Sequence, residues 1–223
     1  MLGRIFQLIG QDKTVLYPAM IVEFINLWLL KFLSGQQLPE QYMAVTLLAP
    51  GLLTFFIHLF TAECARQLIL RKSLAITSAL GVSLQRYWPA LFFGILLPVP
   101  LFAGLFLLAN SVWVWVLMPF LFLIIIILGV YPVVYVLSNV PAFKVYQTIW
   151  QYFRRKPGQI WRIFVFFMAI TFGFNALVLI LSEALPGNFS SVLIPLLGGL
   201  RTVLLIYGLA LLFLGDQQIS ELA

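Results

Sequence analysis

Two ionisable residues standing inside apolar runs carry the most chemical information in this chain: Glu23, in LYPAMIVEFINLW, and Arg201, in PLLGGLRTVLL. A charge at the centre of a hydrocarbon-spanning helix costs about 2.5–3.5 kcal/mol on insertion scales, so each needs a partner or a function. Glu23 lies eight residues after Val15, roughly 12 Å along a helix axis. Arg201 lies thirteen residues before Leu214, and its long side chain can reach toward either face. A Glu23–Arg201 pair is therefore allowed and would neutralise both charges if their helices are neighbours. His58, six residues before Cys64, falls at a depth similar to that of Glu23. It has two readings: a proton shuttle or ligand-binding group, or a packed interior residue hydrogen-bonded to a neighbour. The interior polar candidates are thus Glu23, Arg201 and His58.

Around them stand residues with more local expectations. Asn26 follows Glu23 by three positions on the same helical face and, with Asn175, is expected to hydrogen-bond between helices. Glu63 precedes Arg66 by three, which predicts a pair on one helix. Gly198-Gly199 beside Arg201 would let a neighbouring backbone or a lipid headgroup approach closely. The chain has one His and one Cys, so an intramolecular disulfide is excluded, and a zinc or haem site of ordinary type would have to be built almost entirely from carboxylates or a partner chain. No nucleophile with a credible base, phosphate-cradling glycine loop or conspicuous carboxylate pair occurs. The expectation is a protein that is not an enzyme and needs no metal or cofactor.

The elements that must position these residues are apolar helices. Of the 223 residues 63% are hydrophobic and only 9% charged, against roughly a quarter charged in soluble domains, so the chain reads as a single integral membrane domain over 1–223. Six segments are long enough to span, near 15–33, 43–64, 88–109, 112–137, 160–181 and 191–214. They are too uniformly apolar to be the alternating strands of a membrane barrel. No cleavable signal is expected, because Asp12-Lys13 interrupts the first apolar run and no small-residue cleavage pattern follows.

Eleven of the thirteen Lys and Arg residues fall on the side of the termini and of the connections after spans two and four. The other connections carry polar groups such as Gln36, Glu40, Asn110 and Glu183. By the positive-inside rule both termini are cytoplasmic, in a multi-pass protein of the inner membrane. Trp88, Trp161, Trp113 and Trp115 fit interfacial aromatic belts. The basic residues border apolar spans rather than forming a soluble basic face, so anionic lipid, not nucleic acid, is the expected partner, with a membrane protein as a possible second.

The most basic stretch is Asn139 to Phe164. Phe143, Tyr146, Ile149, Trp150 and Phe153 share one side of a helix and Lys144, Gln147, Gln151 and Arg154 another. The pattern stops at Arg154-Arg155-Lys156 and is broken at Pro157-Gly158, just before an apolar run. This predicts an amphipathic helix lying on the membrane, with Lys144, Arg154, Arg155, Lys156 and Trp150 as the lipid or partner surface and Phe143 and Trp150 in the headgroup layer. Shorter versions are LGRIFQLIG, with Leu2, Ile5, Phe6 and Ile9, and SLAITSALGVSLQRY, with Ile76, Leu80, Leu84 and Tyr87. Each precedes an outgoing span. Proline opens the first two, at Tyr17-Pro18 and Trp88-Pro89, and recurs near the start of every returning span at Pro50, Pro119 and Pro195. The result is an all-α fold of six transmembrane helices in three pseudo-repeated hairpins, about 1–64, 71–137 and 142–214, with amphipathic helices on the cytoplasmic face.

The segments AITSALGVSLQRYWPALFFGILL and AFKVYQTIWQYFRRKPGQIWRIFVFF resemble the six-helix membrane domain found fused to glycerophosphoryl diester phosphodiesterases and its stand-alone bacterial relatives. The resemblance runs from Arg4 to Leu214, with Ala142, Thr148, Trp150 and Gly158 near the family's pattern positions. Ile149 between the polar residue and Trp, and Asn110-Ser111 in place of a Pro-Gly turn, depart from it. The resemblance implies a membrane-integral role without hydrolysis, since the soluble phosphodiesterase domain with its metal-binding carboxylates and histidines is missing. Two functions follow as expectations. One is a non-enzymatic scaffold or accessory subunit that engages lipid or a membrane complex. The other is a transporter or channel for a lipid-like or anionic solute, using Arg201, Glu23 and His58.

Overall fold

The apolar segments that the structure describes fold as helix. The structure, a computed structural model, describes residues 2–34, 40–71, 73–96, 126–127, 129–184 and 187–214, and among these no strand occurs. Helix α1 (Leu2–Gln11) leads through a 3-10 turn (Lys13–Val15) into α2 (Leu16–Ser34). The Asp12 carboxylate caps that turn, accepting from the Thr14 amide at 3.0 Å. Then come α3 (Glu40–Arg71), α4 (Ile76–Leu91) with a π-helical turn (Phe92–Leu96), and α5 (Gly129–Ser138). A 3-10 turn (Ala142–Lys144) opens α6 (Val145–Arg155), followed by α7 (Pro157–Ala184) and α8 (Gly187–Leu214).

Among the described residues, three helical segments are long and apolar enough to cross a membrane: Pro50–Leu70, Pro157–Glu183 and Ser191–Leu214. They overlap the expected second (43–64), fifth (160–181) and sixth (191–214) spans. The expected first span folds as the 19-residue helix α2, several of whose side chains near its C-terminal end lie outside the described residues. The spans expected at 88–109 and 112–137 lie largely outside the described residues, so the six-span, three-hairpin repeat is not carried beyond these three helices. One boundary is corrected. Trp88-Pro89 does not start a helix: α4 runs through Pro89, and the π-helical turn follows three residues later. A proline inside a helix frees the carbonyl four residues back and disturbs the turn beside it, which a single wider turn can absorb.

Helix α8 is the centre. It packs most extensively against α2, and also against α3, α7 and α1. In its spanning segment 67% of the best apolar window is buried, against 11% for α7, although α7 is the more apolar at a mean hydropathy of 2.5 versus 2.0. A helix apolar all round and mostly uncovered suits a lipid surrounding.

Polar ties fasten the short helices to this bundle. The Arg86 guanidinium on α4 donates to the Val136 carbonyl at 3.3 Å and the Tyr135 carbonyl at 3.5 Å, and also to the Asn139 side-chain oxygen. It thereby covers the open carbonyls and negative dipole end of α5. Asn139 itself takes the left-handed conformation that ends α5, at φ 51°. The Tyr131 hydroxyl donates to the Ala142 carbonyl at 3.0 Å, and that of Tyr146 to the Phe93 carbonyl at 2.8 Å. Burial pushes the Tyr146 hydroxyl up to about 12, so it stays a donor throughout the neutral range. The Tyr152 hydroxyl donates to the Leu212 carbonyl at 3.4 Å while its ring stacks on Phe213 at 4.4 Å.

Removing the Arg86 guanidinium strips several carbonyl and amide partners at once. Arg86→Ala is expected to destabilise the fold by about 1.5–3 kcal/mol, the range for hydrogen bonds to a charged group. Asn139→Gly, which keeps the left-handed backbone, should cost less. Thermal unfolding of both variants in detergent checks the order.

Candidate functional site: an interior polar cavity and a basic surface

The interior site depends on how closely α2 and α8 approach. At Gly199 a Cβ would stand 2.7 Å from the Met20 backbone nitrogen and 2.8 Å from its Cα, so no larger residue fits without moving α2. One position earlier, a Cβ on Gly198 would lie 3.2 Å from the Glu23 carboxyl carbon. The two glycines therefore seat the backbone and the carboxylate of α2 against α8.

That approach places Arg201 Nη2 3.9 Å from Glu23 Oε1, with side chains 35% and 18% exposed. The expected partners do meet, but as an open ion pair beyond ordinary hydrogen-bond length. The Thr202 hydroxyl also reaches Glu23 Oε1, at 3.4 Å. One turn along α2, the Asn26 amide donates to the Thr54 hydroxyl on α3 at 3.0 Å, the interhelical bond expected of it. Its side-chain oxygen is buried and has no partner. A cavity of about 170 Å³ opens here between α2, α7 and α8, lined by Glu23, Asn26, Asn175, Arg201 and the apolar Phe174 and Pro195.

His58 does not line this cavity. It follows Thr54 by one helical turn on α3. Residue types alone did not single out Thr54 and Thr202. Glu63, fully buried, pairs with Arg66 at 2.5 and 2.7 Å and accepts from Gln67 at 3.1 Å, the local arrangement its spacing predicted. Among the described residues no group of three or more His, Cys, Asp or Glu could hold a metal ion.

The basic surface divides differently from its helical pattern. On α6, Val145, Ile149, Tyr152 and Phe153 are buried, while Phe143 and Trp150, expected on the same apolar side, are exposed. Lys144, Arg154, Arg155 and Lys156 are exposed with them, and Lys144 Nζ lies 5.9 Å from the Phe143 ring centre. On α4 the small residues Ala79 and Ser83 face inward, whereas Ile76, Leu80, Leu84 and Trp88, spaced by four, form an outward stripe with Trp88 72% exposed. On α1, Ile5 and Ile9 face inward and Leu2 and Phe6 outward.

Arg201→Glu and Glu23→Arg should each lower the folded yield by leaving like charges facing across α2 and α8, and the double exchange should recover much of it. The monodisperse fraction in size-exclusion chromatography checks this. Gly199→Val should fail where Gly158→Ala, with nothing within 4 Å of its Cβ, is tolerated. No protein family, no curated protein and no solved structure matches this chain, so the resemblance to the phosphodiesterase-associated membrane domain rests on its own sequence segments.

Proposed function

We propose that the protein is a non-enzymatic, multi-pass membrane protein that engages anionic lipid, and through it a membrane partner complex, with short amphipathic helices at the cytoplasmic face. One observation carries this reading. Helices α1, α4 and α6 pack one face inward and leave Phe6, the Ile76–Trp88 stripe, Phe143 and Trp150 uncovered, on a chain whose exposed cations include Lys144, Arg154, Arg155 and Lys156. Uncovered aromatic and branched side chains flanked by basic residues match the boundary between acyl chains and anionic headgroups.

In this reading the complete fold has six spans, both termini lie in the cytoplasm, and the membrane is the inner one. The exposed cations Lys144, Arg154, Arg155 and Lys156 support that orientation. The family resemblance fits the same role.

Each cation near an anionic leaflet contributes about 1 kcal/mol. Arg154→Gln/Arg155→Gln/Lys156→Gln should therefore lose most of the anionic phospholipid that co-purifies in mild detergent, without loss of folded protein. Mass spectrometry of the retained lipids and proteins reads the result. Retention unchanged from the parent chain would overturn the surface assignment.

A further inference from the structure

We propose that the cavity at the Glu23–Arg201 pair binds a zwitterionic group: an ammonium held by Glu23 and an anionic oxygen held by Arg201. This inference stands apart from the surface reading, since it uses no residue of α1, α4 or α6.

Four observations converge on it. The pair is open at 3.9 Å, so the guanidinium keeps donors for another acceptor, and Glu23 Oε1 receives only a long bond from Thr202. The Asn26 side-chain oxygen, in a residue 7% exposed that lines the cavity, is buried without a partner. Buried polar atoms in folded proteins are satisfied, and an orphan beside a cavity indicates a missing ligand or water. The cavity of about 170 Å³ has room beside these groups, and Asn175 on α7 adds a further amide to its wall. Gly198, where a Cβ would stand 3.2 Å from the carboxyl carbon, leaves the Glu23 carboxylate its place in the cavity wall.

The charge balance selects the ligand class. A lone anion on Arg201 would face the Glu23 carboxylate, and a lone cation on Glu23 would face the guanidinium. Either leaves a net charge in a weakly polar site, where unpaired charge is costly. A zwitterion satisfies both ends with no net charge, and its N–H groups also reach the Asn26 oxygen. Two sources carry this chemistry: a free amino acid, and the ethanolamine phosphate headgroup of a lipid.

The test uses the full chain in detergent and follows its unfolding midpoint with L-alanine, glycerophosphoethanolamine, acetate or ethylammonium at matched ionic strength. A saturable upward shift with at least one zwitterion, and none with acetate or ethylammonium, is expected. Alanine alone would identify a small solute; glycerophosphoethanolamine alone would identify a headgroup. Glu23→Gln and Asn175→Leu should each weaken the effective zwitterion at least tenfold, and Asn175→Leu should leave the ligand-free midpoint near that of the parent. The proposal is overturned if neither zwitterion shifts the midpoint, if acetate or ethylammonium does so equally, or if Asn175→Leu binds as the parent does.

Discussion

The close approach of α2 and α8 at Gly198 and Gly199 is the constraint on which the rest of the interior depends. In an apolar surrounding, helices gain little from hiding apolar surface from one another, so association rests on close packing and interhelical polar contacts. Gly199 supplies the packing by admitting the Met20 backbone. Gly198 then lets Glu23 lie flat against α8, one turn from Arg201. The charge pair is a consequence of that fit as much as a cause, because neither charge could be held in the bundle unless the backbones first came together. Asn26 extends the same contact to α3 through Thr54.

The short helices are held by a different device. Tyr131, Tyr146 and Tyr152 each bury an aromatic body and donate the hydroxyl to a backbone carbonyl in another segment. Tyrosine suits this because it adds apolar area and places one polar atom at a defined distance. Arg86 does the same with charge, closing α5 from across the fold. These ties hold α4 and α6 by one face, which frees the opposite face to meet whatever lies outside the protein.

The interior pair was legible because a charge in an apolar run needs a neutralising partner, and Glu23 and Arg201 are opposite charges inside two such runs. Asn26 was legible for the same reason in weaker form. Thr54 and Thr202 were not: a threonine hydroxyl within a helix can bond its own preceding turn, so its presence does not reveal an interhelical role. The faces of α4 and α6 show a second limit. Periodicity finds an apolar side, but that side turns inward only when water is the alternative. Ile76, Leu80 and Leu84 instead face out while Ala79 and Ser83 pack inward, since small residues permit the closer helix contact and larger ones suit lipid. Trp88-Pro89 read as a helix start because proline is harmless there; the π-helical turn that tolerates Pro89 inside α4 has no composition of its own.

The two regions respond to change in different ways because their charges are organised differently. The basic surface spreads positive charge over several exposed side chains; in the proposed lipid contact each would contribute a similar increment, so losses there accumulate gradually and salt screens them. The cavity contains one carboxylate and one guanidinium whose separation is set by two glycines, so its members act as a unit and their effects are not additive. A surface of the first kind can engage many lipids without distinguishing them. A cavity of the second kind distinguishes ligands by the position of charge, because a displaced charge meets a group of like sign at close range. On the two proposals, selectivity belongs to the α2–α8 contact and affinity for the membrane to the amphipathic helices α1, α4 and α6.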